Sequence, residues 1–192
     1  MGWHEVIGEL EKKLKGTLHG EYRPLDGIPF FRVQYPPKEE REALTQFHLL
    51  AERLKQEGCH AKCLSLTEIL RETLADMLNC SLNDLHERLK ELERERERKE
   101  LQTMLSEHLP ERLSERLVEK LEAFPQNSVV FLLRTGAFYP FVRPSALLSR
   151  LEGRTSCIIV LAYPSTTLGE LLETTPASLH SGYYRGETIQ WR

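Results

Sequence analysis

The stretch VVFLLRTGAFYPFVRPSALLSRLEGRTSCIIVLAY, residues 129–163, decides the fold. Two apolar runs rich in β-branched residues flank a short leucine-rich helical segment, a pattern typical of a parallel β-α-β crossover. The loop between the first run and the helix carries Tyr139 and Arg143. In open α/β sheets, ligands and partners bind outside the carboxyl ends of the strands. We therefore predict that this loop lies at a functional edge of the sheet.

Helical and strand-like segments alternate over the rest of the chain. The patterns predict helices at 3–15 and 38–56 and strands at 28–35, 60–64 and 183–191. Residues 66–124 read as a helical insertion between strands, in which Pro110 is expected to separate two helices. We predict a single α/β domain over residues 1–192. Its sheet should be mainly parallel, with about five strands in a three-layer, Rossmann-like or degenerate P-loop-like arrangement.

The insertion contains a leucine seam followed by a dense run of charge. The seam consists of Leu82, Leu85, Leu89 and Leu92, and it stops where Arg96 and Lys99 occupy the next positions. It is too short for a sustained coiled coil and favours a helical hairpin arm or a short partner-binding helix. Residues 93–100 alternate four acidic with four basic side chains, which is typical of a solvated helix face.

Composition and charge disfavour some classes of partner. The 192 residues carry a formal net charge of -3, which favours neither a phosphate backbone nor an anionic membrane as a partner. The first sixteen residues have no apolar core of a signal peptide, and the longest apolar runs are too short to span a bilayer. We therefore expect a cytoplasmic protein that binds neither membrane nor, directly, nucleic acid.

The four cysteines are expected to be ordinary reduced thiols. They are Cys59, Cys63, Cys80 and Cys157. The group Cys59-His60-Ala61-Lys62-Cys63 has ligand types that zinc prefers, but the sequence offers no second cluster to complete a tetrahedral site. We predict no metal and no disulfide.

Standard phosphate-binding and catalytic signatures are absent from the sequence. After the first predicted strand, residues 35–40 read YPPKEE where a P-loop needs glycines and a lysine. Two prolines cannot donate backbone hydrogen bonds to phosphate, and two glutamates repel it. The chain also has no G-x-G-x-x-G, G-x-S-x-G or H-E-x-x-H motif. We predict a protein that is not an enzyme, has no catalytic residues and needs no cofactor.

Aromatic and arginine residues gather at the predicted strand ends. The partner-binding candidates are Tyr35, Tyr139, Phe141, Arg143, Tyr163, Tyr184 and Arg185. Tyrosine and arginine are enriched in binding hot spots because each combines a large contact area with a polar group. The alternative is structural: Tyr139 and Phe141 would cap the core, and Arg143 would pair with a carboxylate at the start of a helix.

Four segments resemble the BrxB family of BREX bacteriophage-exclusion systems. They are IPFFRVQYPP (28–37), VVFLLRTGAFYPFVRPSALLSRLEG (129–153), CIIVLAYPSTTLGELL (157–172) and YYRGETI (183–189). The similarity covers nearly the whole chain in the same order, and its most specific part is Gly136 to Arg143 followed by the leucine-rich helix. The resemblance implies a component of a multi-gene system that modifies host DNA and blocks phage replication.

The resemblance further implies an accessory protein that docks the PglZ-like component, a member of the alkaline-phosphatase superfamily, and other BREX components. Two alternatives stay open. One is a degenerate nucleotide-binding sensor domain, and the other is a DNA-binding module that uses Arg94, Arg96 and Arg98. A homodimer, through the closing strand or the leucine seam, also stays open.

Overall fold

The computed structural model describes residues 2–138, 141–165 and 186–191. The helices in this part of the chain are α1 (Trp3–Leu18), α2 (Glu40–Gln56), α3 (Leu66–Met77), α4 (Leu85–Glu95), α5 (Arg98–Glu122) and α6 (Pro144–Leu151). The strands are β1 (Phe30–Tyr35), β2 (Ala61–Ser65), β3 (Val129–Leu133), β4 (Ile158–Pro164) and β5 (Glu187–Gln190). Short 3₁₀ turns occupy Leu25–Gly27, Pro37–Glu39 and Thr135–Phe138.

The five described strands form one parallel sheet in the order β2-β3-β4-β1-β5. The central strand β4 pairs Val160 with Phe31 of β1 on one side and with Phe131 of β3 on the other. Both β3 and β4 are buried along almost their whole length. Strands covered by helices on both faces have no polar side to alternate with, which explains their continuous apolar sequences. The parallel β-α-β crossover predicted from residues 129–163 is confirmed.

Helices cover both faces of the sheet and give three layers. Side chains of α1 and α2 pack with Phe31 and Val33 of β1 in one core. Side chains of α3, α5 and α6 pack with Phe30 and Val130 in the other. Successive residues of a strand point to opposite faces, so Phe30 and Phe31 enter different cores. The predicted three-layer α/β arrangement is confirmed.

The end of α2 shows how local sequence sets the chain direction. Gly58 has a φ of 86°, a left-handed conformation that glycine adopts without strain. Its N–H donates to the Lys55 carbonyl at 3.0 Å, and the Cys59 N–H donates to the Leu54 carbonyl at 2.9 Å. These two bonds form a Schellman cap. The cap ends the helix and directs the chain into β2.

Helices α3, α4 and α5 lie between β2 and β3 in the chain, but the predicted break at Pro110 is wrong. Pro110 lies inside α5, which runs continuously over 25 residues. A proline removes one helix hydrogen bond and costs about 3 kcal/mol. That cost is offset by a buried stripe on the same helix, formed by Leu109, Leu113, Leu117 and Leu121. Tertiary packing therefore carries the helix through the proline.

No helix in the described part of the chain is long and apolar enough to cross a lipid bilayer.

Strand β5 is held to α1 by a half-buried carboxylate. Lys13 Nζ and the Tyr22 hydroxyl both donate hydrogen bonds to Glu187, the first residue of β5. Burial by itself lowers the pKa of Lys13, but the hydrogen bonds that Lys13 donates to Glu187 and Glu9, with the charges of these carboxylates, outweigh it and raise that pKa above its usual 10.5. Burial and the bond to Glu187 also raise the pKa of Tyr22 above 10.0. The cluster is therefore most stable when both donors keep their protons.

Glu187→Gln is expected to lower the free energy of unfolding by about 1 to 2 kcal/mol, because two hydrogen bonds to a charged acceptor are weakened. Raised pKa values in the folded state mean that the stabilisation is complete below about pH 10 and is lost as the pH rises through them. Urea unfolding between pH 7 and 11 checks this. Wild type should lose stability above pH 10 more steeply than Glu187→Gln, and parallel curves would contradict the assignment.

Candidate functional site

The order of the strands places a crevice outside the ends of β1 and β4. The connection from β1 leads towards β2 at one edge of the sheet, and the connection from β4 leads to β5 at the other. Neighbouring strands whose connections lead to opposite edges of the sheet form a topological switch point, which is the usual ligand site of an open α/β sheet. What fills this crevice therefore bears directly on the nucleotide alternative.

On the α1 and α2 side, the switch point is filled by aromatic rings. The ring centroid of Trp3 lies 5.4 Å from that of Tyr35 and 4.8 Å from that of Trp191. Phe47 continues the cluster at 6.3 Å from Tyr35. Trp3 and Tyr35 are 7% and 0% exposed. On this side of the sheet, the space outside β1 is occupied by the protein's own core.

Carboxylates occupy the place where a phosphate would meet a helix N-terminus. The Tyr35 hydroxyl donates to Glu40 at 2.7 Å, and Trp3 Nε1 donates to Glu39 at 3.3 Å. Burial, and then the negative charge of Glu40, raise the pKa of Tyr35, so the hydroxyl stays a donor. Two acidic side chains beside the first turn of α2 already complement its dipole. An anionic ligand would have to displace them.

Two of the predicted partner-binding residues lie in the core. Tyr35 and Tyr163 are 0% and 1% exposed and belong to the cores on opposite faces of the sheet. Their side chains do not reach the surface, so burial does not support a partner contact by either tyrosine, and that role stays a prediction. The physical reason for their burial is the pleat: Tyr35 follows Val33 by two residues, and Tyr163 follows Leu161 by two, so each continues a core-facing row.

The other candidates lie in different places. Phe141 is half-buried, and Arg143 is exposed immediately before Pro144, the first residue of α6. Tyr139, Tyr184 and Arg185 lie outside the described residues, as do positions 183–185 of the predicted closing strand. A partner-binding role for Phe141 and Arg143 stays a prediction.

The loop that carries Phe141 is anchored on both sides. The buried Thr135 hydroxyl donates to the Ala162 carbonyl of β4 at 2.8 Å. Phe138 is 1% exposed and Val142 is 4% exposed, so both side chains are buried in the core. The backbone N–H of Phe141 donates to the Phe138 carbonyl at 2.9 Å. The Phe141 side chain helps to line a groove between helices.

This helical groove is bounded by α3, α4, α5 and Phe141 and has a volume of about 1320 Å³. Its apolar lining includes Met77, Leu89, Leu92, Met104, Leu105 and Phe141. Apart from Met1, the methionines of the chain are Met77 and Met104, so both internal methionines line the same groove. The predicted docking loop and the predicted helical arm therefore meet at one surface.

The groove forms because only some of the leucines of α4 are buried in the core, and the others remain at the surface. Leu85 and Leu92 are buried, at 4% and 8% exposure, and attach α4 to the rest of the protein. Leu89 is half-buried in the groove wall, and Leu82 precedes the helix and is 44% exposed. Two of the four leucines of the predicted seam are therefore buried within the protein, and the other two keep surface that is open to solvent.

The rim of the groove is charged, with an excess of acid. Five carboxylates and three guanidinium groups line it. Arg116 forms an ion pair with Asp76 across α3 and α5. In contrast, Glu93 and Glu111 are exposed and have no ion pair within the described residues. On the adjoining arm, residues 93–100 are exposed, and Arg96 pairs with Glu100 at 2.9 Å. The run is not the single helix face predicted, because Arg96 and Glu97 separate the end of α4 from the start of α5.

Sequence reasoning missed the groove residues of α5. Leu101 and Leu105 continue the four-residue spacing of Leu109, Leu113 and Leu117. That spacing marks one side of a single helix. The same spacing would have placed these leucines on one helix if that helix had been predicted to begin before Pro110.

The cysteines do not contribute to the groove lining, and all four are free thiols. Within the described residues, no three histidine, cysteine or acidic side chains are grouped as a metal site would require. Burial raises the pKa of Cys63 from 9.0 to about 11. Its thiol lies 3.9 Å from the Phe47 carbonyl, which it faces as a weak donor.

Cys63 is expected to react with iodoacetamide at pH 8 about 100-fold more slowly in the folded protein than in urea, because its thiolate fraction falls with the raised pKa. Mass spectrometry of timed, quenched reactions gives the rate for each cysteine. Equal rates for Cys63 in folded and unfolded protein would show that the thiol is accessible and would reopen it as a ligand candidate.

Among the chains of solved structures that match this protein are two of low sequence identity. "Structure of Drosophila ORC bound to poly(dA/dT) DNA and Cdc6 (conformation 1)" matches at 16% identity with a TM-score of 0.31, over 85% of this chain and 27% of that chain. "Structure of Drosophila ORC bound to GC-rich DNA and Cdc6" matches at 18% identity and 0.32, with the same coverage. Overlaps at these scores carry no argument about function. A comparison with curated proteins found no match.

A protein family did match. The family is described as "BREX protein BrxB", and the match extends over residues 62–189, which include the helical groove, the Phe141 loop and strands β2 to β5. Since it covers well over half of the 192 residues, the chain belongs to the BrxB family.

Proposed function

We propose that the protein is a non-catalytic accessory protein that docks the PglZ-like component of its BREX system through the helical groove and the neighbouring Phe141 loop. Membership of the BrxB family makes the chain a component of a BREX phage-defence system, with other BREX components as its partners. The PglZ-like protein is the partner that the family resemblance implies. The new elements are the choice of the PglZ-like protein among the BREX components and the helical groove as the surface that binds it.

One observation carries the proposal: a groove that combines leucine, methionine and Phe141 side chains with charged residues. Aromatic side chains are enriched at protein interfaces, where they contribute a large contact area. Phe141 is held by the loop contacts of Thr135, Phe138 and Val142. The groove beside it offers apolar area with a charged rim, which is the usual anatomy of a protein interface.

The nucleotide-sensor alternative finds less support at the switch point. The aromatic cluster of Trp3, Tyr35 and Trp191 fills one side of the crevice, and Glu39 and Glu40 accept hydrogen bonds there. The DNA-binding alternative relies on Arg94, Arg96 and Arg98. These arginines alternate with acidic residues, and Arg96 is engaged by Glu100.

Arg143→Ala is expected to abolish co-purification with the PglZ-like protein, because the exposed guanidinium beside Phe141 offers a large contact area and several hydrogen-bond donors to the partner. Surface substitutions of this kind change stability by less than about 0.5 kcal/mol, so the melting temperature should stay within a few degrees. The matched control is Arg150→Ala, an exposed arginine in the last turn of the same helix. Wild-type co-purification by Arg143→Ala would remove Arg143 from the docking surface.

A further inference from the structure

We propose that the occupant of the helical groove is an amphipathic α-helix of the partner that carries net positive charge. This inference deepens the proposed function and rests on it for the partner's origin in the same defence system. It adds the chemistry of the segment that is recognised: a row of bulky apolar side chains flanked by lysine or arginine. The floor, the length and the charge of the groove each contribute to this assignment.

The floor of the groove suits a helix with large apolar side chains. Met77, Leu89, Met104 and Leu105 are each half-buried, so part of every side chain remains available for contact. Methionine is unbranched and polarizable, and it adapts to differently shaped apolar side chains. A surface built from methionine and leucine buries apolar area without offering hydrogen bonds to an extended backbone. A helix satisfies its own backbone groups, so it is the form of chain that such a floor accepts.

The length of the groove also fits a helix. Its lining residues on α5 extend from Arg98 to Glu119. At a rise of 1.5 Å per residue, this part of α5 is about 30 Å long and could lie alongside a helix of about 20 residues. A helix of that length would present apolar residues at spacings of three and four, which is how helices dock into hydrophobic grooves.

The charge on the rim decides the sign of the partner. Carboxylates outnumber guanidinium groups by five to three. Arg116 is engaged by Asp76, and Arg112 lies 3.7 Å from Glu115. In the part of the chain that the structure describes, Glu93 and Glu111 have no ion pair, and neither has Arg98, so the acidic side chains without an ion pair outnumber the basic one. Unsatisfied carboxylates on both sides of an apolar floor favour lysine or arginine on the flanks of the bound helix.

A second copy of the chain fits this groove less well. A two-fold dimer brings the same patch of each copy face to face. The acidic excess of one rim would then oppose the acidic excess of the other, and like charges across an interface are destabilising. The charge pattern therefore favours a different, basic chain over self-association.

Photo-crosslinking from the groove tests the inference directly. The intact defence operon is expressed with Leu105→p-benzoylphenylalanine, and the crosslinked peptide is identified by mass spectrometry. The matched control is Leu49→p-benzoylphenylalanine, since Leu49 is 52% exposed on α2, on the opposite face of the sheet. The expected product from position 105 is a peptide with apolar residues at i, i+3 or i+4 and i+7 and a net positive charge. Position 49 is expected to give no such product.

The outcomes separate this inference from the proposed function. A basic amphipathic peptide from a component other than the PglZ-like protein would support the inference and overturn the choice of partner. Co-purification of the PglZ-like protein without a crosslink at position 105 would overturn the inference and leave that partner in place. An acidic peptide, a segment without helical spacing, nucleic acid or a second copy of this chain would also overturn the inference.

Charge reversal on the rim gives a second measurement. Glu93→Lys with Glu111→Lys is expected to weaken binding of the captured partner at least tenfold, because two attractive contacts become repulsive. The control has the same charge change on the other helical layer, Glu42→Lys with Glu52→Lys, where both residues are exposed on α2. Equal affinity of the two double variants would overturn the inferred charge of the partner.

Discussion

Leu105→Glu is expected to release the PglZ-like protein from this chain while leaving the chain folded. Leu105 is half-buried on the groove floor between α5 and α4. A carboxylate there would be desolvated by any apolar side chain that enters the groove. Interface hot spots contribute about 2 kcal/mol or more, and we expect Leu105 to be one of them, so affinity should fall by roughly 30-fold or more. Leucine and glutamate have similar helix propensities, so α5 itself should remain intact.

Co-purification from the intact operon and a thermal unfolding curve measure the two parts of this expectation. Leu49→Glu is the matched control, because it makes the same change at an exposed position of α2. It should bind as wild type does. If Leu105→Glu also binds as wild type does, the groove is not the docking surface. If both variants lose the partner, the effect is not local to the groove.

Phe131→Ala is expected to lower the free energy of unfolding by about 3 to 5 kcal/mol, which is the usual cost of replacing a buried phenylalanine by alanine. Phe131 lies in the middle of β3, is 0% exposed and packs against Phe47 of α2 with ring centroids 5.9 Å apart. Its pairing with Val160 of β4 places it at the centre of the sheet. Removal of the ring leaves a cavity that the surrounding strands cannot close.

Urea unfolding gives the free energy, and Phe131→Leu is the control. Leucine retains most of the apolar volume, so its cost should be less than half that of alanine. A loss below about 1 kcal/mol for Phe131→Ala would contradict the packing of α2 against β3 at this position. The alanine variant should lose the partner only in proportion to its unfolded fraction, because Phe131 lies on the face of the sheet opposite the groove.

Continuous apolar runs made the sheet predictable. Residues 129–133 and 157–163 are apolar at nearly every position, and the structure has β3 and β4 there. Such runs occur where both faces of a strand are covered, so they predict central parallel strands and helices on both sides. The strand order did not follow from this pattern, since it depends on which pairs of strands contact each other.

The surface assignment of aromatic residues was harder to make from sequence. Tyr35 is the last residue of β1, Tyr163 is the second-last residue of β4, and Phe141 lies in the loop after β3. The two tyrosines are nevertheless buried, whereas Phe141 lines the groove. The residue type does not tell whether the side chain points into the core or to the surface, because tyrosine is common in both cores and interfaces. Side chains alternate between the two faces of a strand, so a residue points to the same side as the residue two positions earlier. Each tyrosine follows a core residue by two positions, which indicates that it also points into the core.

The groove itself could not be predicted, because α3, α4 and α5 are brought together only by tertiary packing. Pro110 suggested a helix boundary, since local propensity disfavours proline inside helices. The buried leucines of α5 outweigh that preference and extend the helix to Arg98. Only then do Met104 and Leu105 face Met77 of α3 and Leu89 of α4 across a common surface.

Hydrogen exchange of the protein with and without its PglZ-like partner tests the docking groove most directly. Binding at the groove is expected to slow amide exchange in residues 98–109 of α5 and in the groove-lining parts of α3 and α4. Exchange in α2 should be unchanged, because that helix covers the other face of the sheet. Slower exchange confined to α1 and α2, with α4 and α5 unchanged in the complex, would contradict the account.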